Sequence, residues 1–130
     1  VYRLRYGTSA DGIHWQRPDE ELVPWLREYE PTHRPAVIKL GERYHMWFCH
    51  RGIGDFRGGG EAYRLGYAWS EDALKWTRDD AKSGMDVSPG AWDSDMIAYP
   101  YVVKVDDRVL MFYNGNGFGV SGFGVAELVR

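Results

Sequence analysis

The segment PAVIKLGERYHMWFCHRGIGDFRGGGEAYRLGYAWSEDALKWTR, at residues 35–78, organises this chain because parts of it recur on both sides. Its first half returns 65 residues later as PYVVK at 100–104 and VLMFY at 109–113. Its second half is matched 61 residues earlier by RLRYGTS at 3–9 and DGIHWQR at 11–17. Self-similarity at a fixed long spacing is typical of repeat architectures. The sequence therefore predicts one structural unit used more than once.

The composition is that of a folded globular domain. The chain has 130 residues, of which 44% are hydrophobic and 27% charged, and this excludes a wholly disordered protein. Its net charge is -3 and no basic run is present, so no nucleic-acid partner is expected. No apolar run is long enough for a bilayer span, so no membrane partner is expected. Cys49 is the single cysteine, which precludes an internal disulfide, favours a reducing, cytoplasmic compartment and leaves no thiolate metal cluster.

The pattern of short segments predicts an all-β fold. Aromatic residues make up 15% of the chain, and 16 glycines punctuate it. Short aromatic-rich segments separated by Gly and Asp turns are typical of antiparallel strands. Strands are predicted at residues 2–9, 13–17, 36–39, 44–49, 62–69, 76–78, 98–105, 109–113 and 122–129, with glycine-rich loops at 51–60 and 114–119.

Four short strands in about 60 residues suit a β-propeller blade better than a sandwich. The predicted single domain, residues 1–130, divides into the end of one blade with a connection (1–30), a complete blade (31–80) and an incomplete blade (81–130). This makes about two and a quarter blades. Because an unclosed propeller leaves strand edges unpaired, the sequence predicts completion by further sequence or by a homo-oligomer.

The chain resembles the five-bladed β-propeller glycosidase superfamily, close to hydrolase-like proteins related to glycoside hydrolase families 43 and 32. The residues that carry this resemblance lie from Arg3 to Leu128, and they match about the C-terminal half of such a propeller. They are YHMWF at 44–48, YRLGYAWS at 63–70, DVS at 86–88, WDSDM at 92–96, YPY at 99–101 and YNGNGFG at 113–119. The resemblance implies a funnel-shaped site for a carbohydrate and no cofactor.

The resemblance also implies three catalytic carboxylates, one on each of the first three blades. The first would lie before Val1. At the position matching the second, the chain reads His33-Arg34-Pro35, and at the third it has Ala98. The nearest acids are Asp93 and Asp95, which become the candidate catalytic residues. Both expected positions are therefore without a carboxylate.

The geometry of a hairpin gives a separate reason to examine these positions. The start of one antiparallel strand lies beside the end of its partner. If the innermost strands line the funnel, eight side chains are expected to converge at its mouth. Besides Asp95 they are the candidate substrate-binding residues His33, Arg34, His50, Arg51, Tyr99, Asn114 and Asn116.

Each candidate also has a structural interpretation. Asp93 and Asp95 would share one face if their segment is extended, but Asp residues in such a sequence also cap turns. Arg34 and Arg51 could bind the carboxylate or phosphate of an acidic sugar, or could form structural ion pairs. The histidines and Cys49 supply no complete ligand set, so no metal site is predicted.

Two further patterns carry less weight. The aromatic residues at repeat positions, Trp15 and Trp76 among them, are expected in the core between blades. The glycine pattern at 117–122 matches a dinucleotide fingerprint but precedes a strand instead of a helix. The sequence therefore leaves two functions open: a glycosidase-like hydrolase, or a non-catalytic carbohydrate-binding or assembly module.

Overall fold

A computed structural model describes residues 1–129 and contains two antiparallel sheets and almost no helix. The all-β prediction is confirmed. The first sheet has the order β1-β2-β3-β4 and the second the order β5-β6-β7. The strands are β1 Thr32–Leu40, β2 Arg43–His50, β3 Arg64–Ser70, β4 Thr77–Arg78, β5 Ala98–Val105, β6 Arg108–Asn114 and β7 Phe123–Glu127. No helix among these residues is long and apolar enough to cross a bilayer.

Both predicted hairpins form, with tight turns at equivalent places. Leu40 pairs with Arg43 across a two-residue turn in which Gly41 has φ of 61°. The turn between β5 and β6 places Asp106, 65 residues later, at φ of 53°. Short turns with left-handed residues match the twist of the flanking strands, and glycine adopts that conformation without steric cost.

The first strand of each sheet is interrupted by a β-bulge at the same place in the repeat. The register shifts between His33 and Ala36 in β1, and between Ala98 and Tyr101 in β5. Arg34 and Tyr99 occupy these bulges with φ of 54° and 56°. Such values are uncommon for residues other than glycine. Each bulge is therefore a strained backbone position that the surrounding structure maintains.

The two sheets pack face to face, and this interface contains the largest core. Trp47 and Tyr67 of the first sheet are buried in the same cluster as Val102 and Met111 of the second. The first strands, β1 and β5, contact each other across the interface. Packing of two inner faces thus fixes the relative position of the strand starts that carry the bulges.

The predicted strands 2–9 and 13–17 are wrong. This segment forms one isolated bridge, in which Thr8 and Gln16 exchange two backbone hydrogen bonds. Without further strands beside it, an isolated hairpin is marginally stable in water. Leu4 and Val23 nevertheless pack on the face of the first sheet that carries Met46 and Phe48.

The two tryptophans of the 61-residue repeat have different environments. Trp76 packs partly against the core on the Phe48 side of the first sheet, as expected. Trp15 is 60% exposed, so its expected core position is wrong. The reason is that the segment around Trp15 lacks the sheet that surrounds its counterpart.

The 61-residue repeat is confirmed in its hydrogen bonds. The Asp11 carboxylate accepts the backbone N–H groups of Ile13 and His14. Asp72, 61 residues later, accepts those of Leu74 and Lys75 in the same way. A short acidic side chain that binds backbone N–H groups two and three residues ahead stabilises a tight turn. The two segments therefore share a local structure.

A buried ionic network holds the connection before β1 against the first sheet. Arg78 donates to both carboxylate oxygens of Glu30, at 2.7 and 3.1 Å, and both side chains are almost fully buried. Arg78 also donates to Asp80, at 2.7 Å. Burial alone would raise the pKa of Glu30, but hydrogen bonds from His50 and Arg78 outweigh it and lower the pKa to about 2.

Replacement of Arg78 by methionine is expected to destabilise the fold by about 3–5 kcal/mol, because it leaves the buried Glu30 carboxylate without its partner. Urea unfolding monitored by tryptophan fluorescence measures this change. The matched control is Arg108→Met, which removes an exposed pair with Glu127 and should change stability little. Equal effects of the two substitutions would contradict the structural role of the network.

Candidate functional site

The starts of β1 and β5 bring four of the predicted binding residues around Tyr63. We call His33, Arg34, Arg51, Tyr63 and Tyr99 the Tyr63 cluster. The ring of Tyr63 lies 5.2 Å from that of His33 and 5.7 Å from that of Tyr99, centre to centre. The prediction that His33, Arg34, Arg51 and Tyr99 lie together agrees with this geometry.

Tyr63 is the hydrogen-bonding centre of the cluster. Its side chain is buried, and its hydroxyl oxygen accepts a hydrogen bond from Arg51 Nε at 3.1 Å. The same hydroxyl lies 2.9 Å from His33 Nε2. Because its acceptor side is used by Arg51, the hydroxyl donates to His33, which places the imidazole proton on Nδ1.

The cluster is electropositive and keeps His33 neutral. Burial, with the nearby charges of Arg51 and Arg34, lowers the pKa of His33 to about 4. Burial raises the pKa of the Cys49 thiol, beneath the cluster, to about 12. Burial also raises the pKa of Tyr99, with a further contribution from Tyr63. At neutral pH the arginines therefore carry the charge.

Arg34 and Tyr99 meet across the two sheets. The Arg34 guanidinium carbon lies 5.5 Å from the centre of the Tyr99 ring, within the range of a cation–π contact. Both residues sit in the bulges with left-handed backbone. Strained residues of this kind concentrate at ligand sites, so the coincidence supports a binding role.

The predicted pairing of Asp93 and Asp95 on one face is wrong, because residues 91–95 form turns instead of an extended segment. Asp93 is buried, and its Oδ2 accepts a hydrogen bond from the Ser88 hydroxyl at 3.1 Å. Burial, followed by the Asp93 carboxylate, raises the pKa of Tyr113. Asp93 thus stabilises its loop, as the structural interpretation predicted.

Asp95 is exposed and is positioned through its backbone. Its N–H group donates to Asn116 Oδ1 at 2.7 Å, and its carbonyl oxygen accepts from Arg64 at 2.8 Å. Its carboxylate faces the glycine-rich loop at Gly58. The contacts of Asp95 therefore leave one carboxylate oxygen free of a hydrogen bond among the residues described.

The two asparagines organise the loop that follows β6. Asn116 also donates to the Ser94 hydroxyl, at 3.0 Å, and Asn114 donates to the carbonyl of Phe118 at 3.2 Å. Phe118 lies edge-on to Tyr63, with ring centres 5.9 Å apart. This loop adjoins the Tyr63 cluster through Phe118, while the asparagine amides bind the loop itself.

His50 does not join the other predicted site residues, so the expected convergence of all eight is wrong. Its ring nitrogens lie 3.3 Å from Glu30 Oε1 and 3.6 Å from Asp80 Oδ2, on the opposite face of β2. The cause is the alternation of side chains along a strand, which places Cys49 and His50 on different faces. His50 lines a separate open cleft of about 590 Å³ between Asp80 and Arg64.

Sequence reasoning missed Tyr63 as a site residue. Tyr63 precedes β3, and the sequence marks it only as part of the YRLGYAWS motif. Its position beside the end of β2 follows from the pairing of His50 with Arg64. The same hairpin rule, applied to β2 and β3, could have placed it near Arg51. No group of three or more His, Cys, Asp or Glu side chains within residues 1–129 is arranged to bind a metal ion.

Comparisons with known proteins place this geometry in context. No family model matches the chain. Two curated Mycobacterium tuberculosis proteins, "Uncharacterized protein MT1551" of strain CDC 1551 / Oshkosh and "Uncharacterized protein Rv1502" of strain ATCC 25618 / H37Rv, are each 40% identical over 126 residues. The match covers 96% of this chain, which spans about 40% of the length of either relative.

Solved structures establish the class of fold. A protein described as "Glycoside hydrolase" matches with a TM-score of 0.69, and a protein from a complex of BT0996 with RGII matches with 0.68. Each is 22% identical, and the match covers 96% of this chain and 34% of the solved one. The chain therefore has a glycosidase-like fold.

We expect the His33 imidazole to titrate near pH 4 in an NMR titration, with its resonance assigned by a His33→Gln variant. Removal of one nearby charge by Arg34→Gln should raise that pKa. Because the folded pKa lies below the ordinary value of 6.5, the unfolded state binds more protons between pH 6.5 and 4, so this residue reduces stability as the pH falls through that window. Titration near 6.5 would contradict the described burial.

Proposed function

We propose that this chain is part of a glycosidase-like protein that acts on a carbohydrate, with the sugar bound at the Tyr63 cluster. The observation that carries the proposal is the meeting of Arg34 and Tyr99 at the bulged starts of β1 and β5. Tyrosine rings beside charged groups suit a sugar, which has an apolar ring face and polar edges. The glycosidase-like fold supports the same assignment.

The fold is proposed to be part of a five-bladed propeller in which each sheet is one blade. The repeat supports this arrangement. Ala36 and Trp47, cross-strand partners of the first sheet, are buried against the second sheet. Their counterparts 65 residues later, Tyr101 and Phe112, are also cross-strand partners, but they are 63% and 37% exposed.

This exposed face of the second sheet continues onto β7, where Val125 pairs with Phe112. Contiguous apolar patches of this kind mark interaction surfaces. Since the equivalent face of the first sheet packs on another sheet, we propose that the exposed face is covered by a further blade. That blade comes from additional sequence or, when the chain stands alone, from a second copy.

The proposed activity is hydrolysis of a glycoside or of a sugar-containing polymer, with Asp95 as the candidate acid. Its exposed carboxylate beside the glycine-rich loop supports this role better than the buried Asp93. A second carboxylate is needed for ordinary glycoside hydrolysis. In this proposal it is supplied by residues outside this chain.

A non-catalytic carbohydrate-binding or assembly module is the second candidate. It is supported by the contacts of the Tyr63 cluster, which within residues 1–129 include no carboxylate. His33-Arg34 and Ala98 also occupy the positions where the resemblance implies acids. A fold alone does not decide between the two functions.

The hydrolase proposal predicts that Asp95→Asn lowers turnover of a panel of aryl glycosides by at least about 100-fold, the usual contribution of a general acid. Asp106→Asn is the matched control, because Asp106 is an exposed acid in the β5–β6 turn where asparagine tolerates the left-handed backbone. Unchanged turnover after Asp95→Asn would overturn its role. Glycan binding without any product would favour the binding module.

The blade proposal predicts that the chain alone has a mass above that of a monomer in light scattering. Phe112→Lys should return it to the monomer, because a charge would be placed in the covered face. Val120→Lys, at an exposed apolar residue outside that face, is the control and should leave the mass unchanged. A stable wild-type monomer would contradict this completion by a second copy.

A further inference from the structure

Arg34 and Arg51 are two arginines of the Tyr63 cluster without acidic partners. Six other arginines, namely Arg3, Arg5, Arg27, Arg64, Arg78 and Arg108, lie within 4.0 Å of a carboxylate oxygen. Arg34 and Arg51 have no such ion pair within residues 1–129. Their placement is notable in a chain whose net charge is -3.

Arg51 is fixed in place while most of its donors remain available. It donates from Nε to Tyr63 at 3.1 Å and from Nη1 to the Gly52 carbonyl at 2.7 Å. Its guanidinium also stacks on Phe56, with the carbon 3.8 Å from the ring centre. A guanidinium has five N–H donors, so three are left for a ligand. The positioning is achieved without neutralising the charge.

Arg34 is the second cation and is held by an aromatic ring instead of an acid. Its side chain is exposed and lies over Tyr99. The electrostatic influence of both arginines reaches His33, which lies between β1 and the Tyr63 ring. Two like charges near one point repel each other, and a bound anion would relieve that repulsion.

From these contacts we infer that the Tyr63 cluster selects an acidic sugar, whose carboxylate or phosphate is bound by Arg34 and Arg51 while its ring packs on Tyr99. This inference rests on the proposed carbohydrate function and specifies the class of ligand. Arginine suits planar, bidentate recognition of carboxylate and phosphate. The neutral His33 is then free to bond a sugar hydroxyl through its Nδ1–H group.

The test is an NMR titration of the full chain at constant ionic strength. The acidic probes are glucuronate, galacturonate and glucose 6-phosphate, the neutral probes are glucose and galactose, and the bare anions are acetate and inorganic phosphate. At least one acidic sugar should bind at least tenfold more tightly than its neutral counterpart and than the bare anions. Its binding should shift the resonances of His33, Tyr63 and Tyr99.

Substitutions separate the specific site from general charge attraction. Arg34→Gln should weaken binding of the acidic sugar at least tenfold, and because this side chain is exposed the fold should be retained, which the dispersion of the spectrum checks. Arg51→Gln should act in the same direction. The matched control is Arg43→Gln, at an arginine stacked on Trp69 beside the β1–β2 turn, which should leave binding unchanged.

Each contrary outcome has a distinct meaning. Equal binding of neutral and acidic sugars would overturn the acidic-sugar inference and leave the carbohydrate function standing. Equal binding of bare anions and acidic sugars would reduce the cluster to a simple anion site and overturn the inference. Binding of no probe would overturn the inference and also remove the Tyr63 cluster from the proposed function.

Discussion

The hydrogen bond from the Tyr99 N–H group to the Cys49 sulfur, 2.9 Å away, joins the two sheets where the candidate site lies. The bulge in β5 releases this N–H group from the strand ladder, and Cys49, buried at the end of β2, accepts it. Burial keeps the thiol protonated by raising its pKa. A buried N–H group needs such a partner, so the bulge and the cysteine depend on each other.

The same bulge in β1 gives the repeat its functional asymmetry. Equivalent strained positions hold Arg34 in one sheet and Tyr99 in the other, so a cation and an aromatic ring come together from a duplicated backbone. Left-handed residues of this type each cost about 1–3 kcal/mol. The buried core between the sheets offsets that cost and keeps both side chains in place.

The sequence predicted the elements that depend on local pattern and missed those that depend on neighbours. Both hairpins, β3, the short β4 and β7 were predicted because their turns and alternation are local signals. The strands proposed around Thr8 and Trp15 failed because a strand needs partners that the pattern does not reveal. In the site, His33, Arg34, Arg51 and Tyr99 were placed together by hairpin register, whereas the turn at 91–95 separated Asp93 from Asp95. The strain at Arg34 and the central position of Tyr63 are tertiary properties.

The account as a whole requires that the start of β5 lies against the end of β2. The most direct measurement is the nuclear Overhauser effect between the Tyr99 amide proton and the Cys49 β-protons in the folded chain. A strong cross-peak is predicted, because the donor nitrogen and the acceptor sulfur are 2.9 Å apart. Its absence, with both resonances assigned, would contradict the joined sheets and with them the Tyr63 cluster.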